Sequence, residues 1–147
     1  MVAALLAASV GLLAYNVWIV TPRGRADVKD TRQVARGEVH YERQCAACHG
    51  KDLKGEPNWQ RSLPTGGFPA PPHDESGHTW HHPDSVLFMI TKSGGQSMAS
   101  QGFKSNMPGF EGLLKDDEIW DVLAYIKSRW PPHIQVRQEE INRRNPH

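Results

Sequence analysis

Two thiols three positions apart, with an imidazole directly after the second, make Cys45-Ala46-Ala47-Cys48-His49 the most chemically specific segment of the chain. On one helical turn each thiol can add across one vinyl group of the same porphyrin. The adjacent imidazole then lies against the iron as an axial ligand. The segment therefore predicts one covalent haem c at Cys45, Cys48 and His49, and single-electron transfer as its chemistry. Two other uses of such a pair compete. A thioredoxin-like dithiol belongs in a βαβ pattern, which the sequence lacks. A zinc site would want a second Cys/His pair at ligand spacing, for which His73, His78, His81 and His82 are the candidates. The motif uses both cysteines of the chain, so no thiol remains for a structural disulfide. It occurs once and no internal repeat is visible, which excludes a dihaem reading.

The elements that must hold this segment read as helices. Asp30 or Thr31 can cap a helix in which Val34, Gly37, Tyr41, Cys45 and Cys48 share one face at three- and four-residue spacing. From Gly50 to Gly77 the chain is rich in Gly and Pro and reads as loop. Pro83 and Asp84 open a short helix through Val86, Leu87, Met89 and Ile90, stopped by Gly94-Gly95. A second Gly/Ser-rich loop runs to Phe110. The last clear helix starts near Asp116, where Asp117 and Glu118 add negative charge at the positive end of the dipole. Its apolar face is Ile119, Val122, Leu123, Ile126 and Trp130, with Trp120 and Tyr125 alongside, and Pro131-Pro132 ends it.

Seventeen basic against sixteen acidic residues nearly cancel, so no nucleic-acid partner is implied. Length gives room for one ordinary domain, and the polar chain after residue 20 predicts a small core that needs a cofactor as staple. Val2 to Val20 carries no charge. As a helix it would span roughly 28 Å, close to a bilayer's hydrocarbon thickness. An uncleaved transmembrane anchor is expected there, with Tyr15 and Trp18 near the interface. A cleaved signal peptide would want a basic start, a shorter apolar run and a small-x-small cleavage site, and the nearest candidate, Gly24-Arg25-Ala26, is interrupted by charge. The expected organisation is an anchor over 1–20, a linker over 21–33, a haem domain over 34–132 and a charged tail over 133–147.

Gly37, Tyr41, the Cys45–Gly50 segment, the Met107-Pro108 pair and the final helix Ile119–Ile126 together resemble class I cytochromes c, and most closely the membrane-anchored monohaem type of proteobacteria. The resemblance covers about residues 34 to 130. It implies an all-α, class I cytochrome c fold in which the first and last helices cross near Gly37 and an aromatic of the last helix, with the haem in the cleft below. It also implies that Met107 is the second axial ligand, and that a proline carbonyl accepts from the His49 ring. One departure is that Ala70-Pro71-Pro72-His73 stands where a plain Gly-Pro-x-Leu would follow the haem motif, so Pro71 or Pro72 is the candidate for that contact. Haem attachment in such proteins follows export. The haem domain is therefore expected on the periplasmic side of a bacterial inner membrane, although Arg23, Arg25, Lys29, Arg32 and Arg36 follow the apolar run and by charge alone would favour the cytoplasm.

Of the other methionines, Met89 reads as core and Met98 sits in a loop from which it could reach the iron. Thioether opposite imidazole raises the reduction potential, which suits a carrier. Four histidines within ten positions of one loop read first as solvated or hydrogen-bonded groups. Alternatively Trp80 or one of the histidines packs at the haem edge and donates to a propionate, or the cluster binds copper. Trp59 and Phe68 are expected in the haem pocket or packed in its loop. The tail, with Arg137, Arg143 and Arg144, is a frayed helix or a contact to a larger assembly. Three classes follow: a tethered carrier between membrane redox complexes, respiratory or photosynthetic (a quinol-oxidising complex, a terminal oxidase or a dehydrogenase); a cytochrome subunit of a larger membrane oxidoreductase; and a haem enzyme or gas sensor, which would need an open iron and is opposed by Met107.

Overall fold

The computed structural model describes residues 25–145. The expected anchor over 1–20, and with it the first residues of the expected linker, lies outside the described residues. Among these, no helix is long and apolar enough to cross a membrane, and the regular elements are all helical. Helix α1 runs Thr31–Gln44, α2 Ala46–His49, α3 Asp84–Ser93, α4 Asp116–Ser128 and α5 Pro132–Arg144, with short 3-10 turns at Thr79–His81 and Gly95–Met98.

The start of α1 follows from its cap. The Asp30 carboxylate accepts from the backbone N–H groups of Arg32 (3.0 Å) and Gln33 (3.2 Å), two donors that a helix start otherwise leaves unpaired. Residues 31–33, expected at the end of the linker, are the first turn of this helix. At the start of α4 the Glu118 carboxylate reaches back to the Lys115 N–H (2.7 Å), and Asp116, Asp117 and Glu118 complement the dipole.

Helices α1 and α4 form the frame, and they cross where the sequence offers no side chain. A Cβ on Gly37 would lie 1.9 Å from the Asp121 carbonyl oxygen and 2.9 Å from the Tyr125 Cβ. Only glycine lets the two backbones approach so closely. One turn on, Tyr41 is fully buried and its ring tilts onto Tyr125 at 5.2 Å between centroids. Immediately before Gly37, the Arg36 guanidinium clasps the buried Asp121 carboxylate through Nε (2.7 Å) and Nη2 (2.9 Å). The inner face of α4 is the expected one: Ile119, Val122, Leu123 and Ile126 are buried, with Trp130 just beyond its end.

From Pro132 to Arg144 the chain is helical and does not fray. Pro132 occupies the first turn of α5, where a missing N–H costs nothing, and the helix lays Ile134 and Gln138 into the interior. Gln138, fully buried, donates through Nε2 to the Asp84 carboxylate (2.7 Å), which also receives the Lys127 ammonium at 2.6 Å. Asn142 accepts from the Asp84 N–H (2.8 Å) and so caps α3 from outside it. The segment read as a frayed tail or an assembly contact thus ties α3, α4 and α5 together through one buried polar network.

The sequence also misplaced Met89. Helix α3 turns Leu87 and Thr91 inward, and Met89 lies on the opposite side, 42% exposed. An apolar residue within a short apolar run need not face the core, because a helix buries only a stripe.

Candidate functional site

Below the α1–α4 crossing lies a cavity of about 690 Å³, within the range of small-molecule and cofactor sites. Its wall is assembled from distant parts of the chain. Cys45, Cys48 and His49 come from the α1–α2 junction, Phe68 and Pro71 from the first loop, Met98 and Met107 from the second, and Val122, Leu123 and Ile126 from α4.

The Cys45–His49 turn is positioned from α1. The Cys45 N–H still bonds to the Tyr41 carbonyl (2.9 Å), and the buried Tyr41 hydroxyl donates to the Gly50 carbonyl (2.9 Å), closing the turn from its far side. Cys45 and His49 are buried and Cys48 is exposed. Burial pushes the Cys45 thiol up to about 12, with Cys48 adding to the effect, so the free thiol stays protonated. Burial also lowers the His49 imidazole, against the opposing influence of the Pro71 carbonyl. The neutral ring that results is the form that binds a metal.

His49 Nδ1 is 2.9 Å from the Pro71 carbonyl oxygen. Of the two candidate prolines Pro71 makes this contact; the Pro72 carbonyl instead accepts from the Thr79 hydroxyl (3.4 Å). With Nδ1–H donating to Pro71, Nε2 carries the lone pair with which the ring could hold a metal. The loop reaches this position because Gly55 lies against it. The Gly55 N–H bonds to the His49 carbonyl (2.8 Å), the next N–H, of Glu56, bonds to Ala70 O (2.9 Å), and a Cβ on Gly55 would sit 2.5 Å from that same oxygen.

Met107 is partly buried on the cavity wall, and its carbonyl accepts from the Gly95 N–H (3.1 Å) just past the end of α3. Met98 also lines the cavity but is 48% exposed. Trp59 and Phe68 line it as expected, as do His73, His78 and His82. Trp80 is not part of the wall. Its indole N–H donates to the Glu75 carbonyl (3.3 Å) and the Arg137 guanidinium of α5 lies 4.9 Å over its ring. A 3-10 turn spreads successive side chains about 120° apart; here Thr79 is buried, while Trp80 meets α5 instead of the cavity. Among the described residues no three His, Cys, Asp or Glu side chains converge as a metal site, so the four histidines do not assemble the second ligand pair of a zinc centre.

One contact at the site was not legible in the sequence. The His73 ring stacks on His49 at 3.9 Å between centroids and 22° between planes. Burial holds His73 well below the usual histidine range, with His49 beside it acting in the same direction.

A small helical domain with a Cys-x-x-Cys-His turn on the wall of one largely apolar cavity defines a c-type haem protein. The cytochrome c family matches residues 34–130, and the chain belongs to that family. Over 135 residues it is 30% identical to a thiosulfate dehydrogenase of Stutzerimonas stutzeri (strain A1501), covering 82% of this chain and 39% of that protein. Over 100 residues it is 29% identical to a cytochrome c6 of Diacronema lutheri, covering 65% of this chain and 95% of that protein. The chain thus spans well under half the length of the first of these relatives. Family membership brings one covalently bound haem c, with iron, and electron transfer as its chemistry. The residues fit the group: both thiols and a neutral imidazole share one cavity, with the thioethers of Met98 and Met107 and the apolar side chains of Leu87, Val122, Leu123 and Ile126 also on its walls.

Proposed function

We propose that the protein is a single-electron carrier whose haem c is attached at Cys45 and Cys48 and ligated by His49 and Met107. The haem iron supplies a reversible one-electron couple. The chain's own residues do the rest. Pro71 orients the His49 ring, Met107 offers a thioether that raises the potential, and the apolar wall of Val122, Leu123 and Ile126 keeps water from the centre, which also favours the less charged, reduced state. The observation that carries this reading is the meeting of Cys45, Cys48, His49 and Met107 on one cavity.

In this reading the uncharged run Val2 to Val20 holds the domain at the periplasmic face of a bacterial inner membrane, and the partners are membrane redox complexes: a quinol-oxidising complex, a terminal oxidase or a dehydrogenase. Tethering raises their effective concentration without new contacts, which compensates for weak, quickly released docking. A second reading, a cytochrome subunit of a larger oxidoreductase, is supported by the similarity to a thiosulfate dehydrogenase more than twice as long as the matched region.

Purification of the full chain in mild detergent separates the two, because co-migration with a stoichiometric catalytic partner favours the subunit. For the carrier, the reduced protein should not bind carbon monoxide, and a form beginning at Thr21 should keep its spectrum yet support membrane electron flux poorly at equal amount. Ready carbon monoxide binding by the native reduced protein would sink the carrier reading.

A further inference from the structure

We propose that His73 is a positioning residue that sets the plane of the His49 ring; the proposal rests on reading His49 as an iron ligand. A single hydrogen bond from Nδ1 to the Pro71 carbonyl fixes one point of that ring and leaves it free to tilt about the line of the bond. A flat partner removes this freedom. His73 is such a partner, lying nearly parallel to His49 at 3.9 Å.

A positioning group must itself be held, and His73 is held from three sides. Its backbone N–H donates to the Leu53 carbonyl (2.7 Å), and its carbonyl accepts from the Trp130 indole (2.7 Å) at the end of α4. Its ring Nδ1 is 2.8 Å from the hydroxyl of the buried Thr79. The edge of Tyr41, the residue that closes the haem-binding turn, completes the enclosure at 6.3 Å and 69°. Packing alone would be served by an aliphatic side chain, whereas a stacked, hydrogen-bonded ring adds direction. The direction of an axial imidazole decides which iron orbitals it overlaps, and hence how the unpaired electron of the oxidised state spreads over the porphyrin edge.

The test is the proton NMR spectrum of the oxidised holoprotein, in which the order and spread of the four haem methyl resonances report the axial ring plane. His73→Leu should reorder or compress the pattern, His73→Phe should return it close to that of the wild type, and Thr79→Val should shift it in the same sense as His73→Leu by a smaller amount. If His73→Leu takes up no haem, Thr79→Val decides. Equal change in the Leu and Phe variants would overturn stacking as the cause. A wild-type protein without a low-spin spectrum would overturn the proposal together with the ligand assignment beneath it. A low-spin wild type whose pattern is indifferent to His73→Leu and Thr79→Val would overturn this proposal alone.

Discussion

The helical frame of α1, α3, α4 and α5 and the two loops that wall the cavity are held together by different means. In the frame, buried apolar faces, a backbone-to-backbone crossing at Gly37 and a buried Lys127–Asp84–Gln138 network join the helices directly to one another. The loops over residues 50–78 and 94–110 bury few large side chains, Leu53 and Phe110 being the main ones, and rely on turns and single hydrogen bonds. Yet the loops deliver Pro71 and Met107 to the site. The frame therefore fixes Cys45 and His49, while the loops that bring Pro71 against His49 and Met107 to the cavity have fewer buried contacts to hold them.

The largest effect that would break this contrast is expected at the crossing. Gly37→Val places carbon on the Asp121 carbonyl, and the frame has no slack to absorb it. No folded holoprotein should be recovered, as judged by circular dichroism and haem content. A folded Val variant would show that the crossing is looser than the distances imply.

Next comes the combined change Cys45→Ser with Cys48→Ser. No haem should remain on a denaturing gel, and hydrogen exchange should show the two loops losing protection well before α4. Uniform loss across the molecule would erase the distinction between frame and loops.

Within the frame, Lys127→Met leaves the Asp84 carboxylate buried without its cation and should cost about 3–5 kcal/mol in urea unfolding, with the haem spectrum unchanged. A smaller contribution is expected from Tyr41→Phe, which strands the Gly50 carbonyl at roughly 1 kcal/mol. Tyr41 also gives an alkaline limb. Burial raises the phenol above its ordinary value, so its stabilisation is complete below a pH of about 10 and is lost as pH rises toward the folded value. Tyr41→Phe should flatten that limb in a stability–pH series.

The same contrast explains what could be read from sequence. The haem-binding turn, the Gly37 face of α1 and the inner face of α4 were legible because local spacing encodes them. Helix α5 was not, since its inward stripe includes Gln138, a polar residue whose partner Asp84 lies 54 positions away. Met89 misled because α3 is too short for its periodicity to choose a face. In the loops, two adjacent prolines offered two carbonyls, and only the fold decides for Pro71. The sequence left Trp80 and the histidines as alternatives for the site for the same reason: contacts from Leu53 and the Trp130 indole hold His73 there, while Trp80 packs under Arg137.

The most direct test of the account is the visible spectrum and reduction potential of the Met107→Ala holoprotein beside the matching Met98→Ala and Met89→Ala variants. Met107→Ala should lose the weak sulfur-to-iron band at the red end of the spectrum and fall in potential, with little change in the unfolding of the frame, while the other two keep both properties. Loss of the band in Met98→Ala, with Met107→Ala unaffected, would contradict the ligand set proposed here.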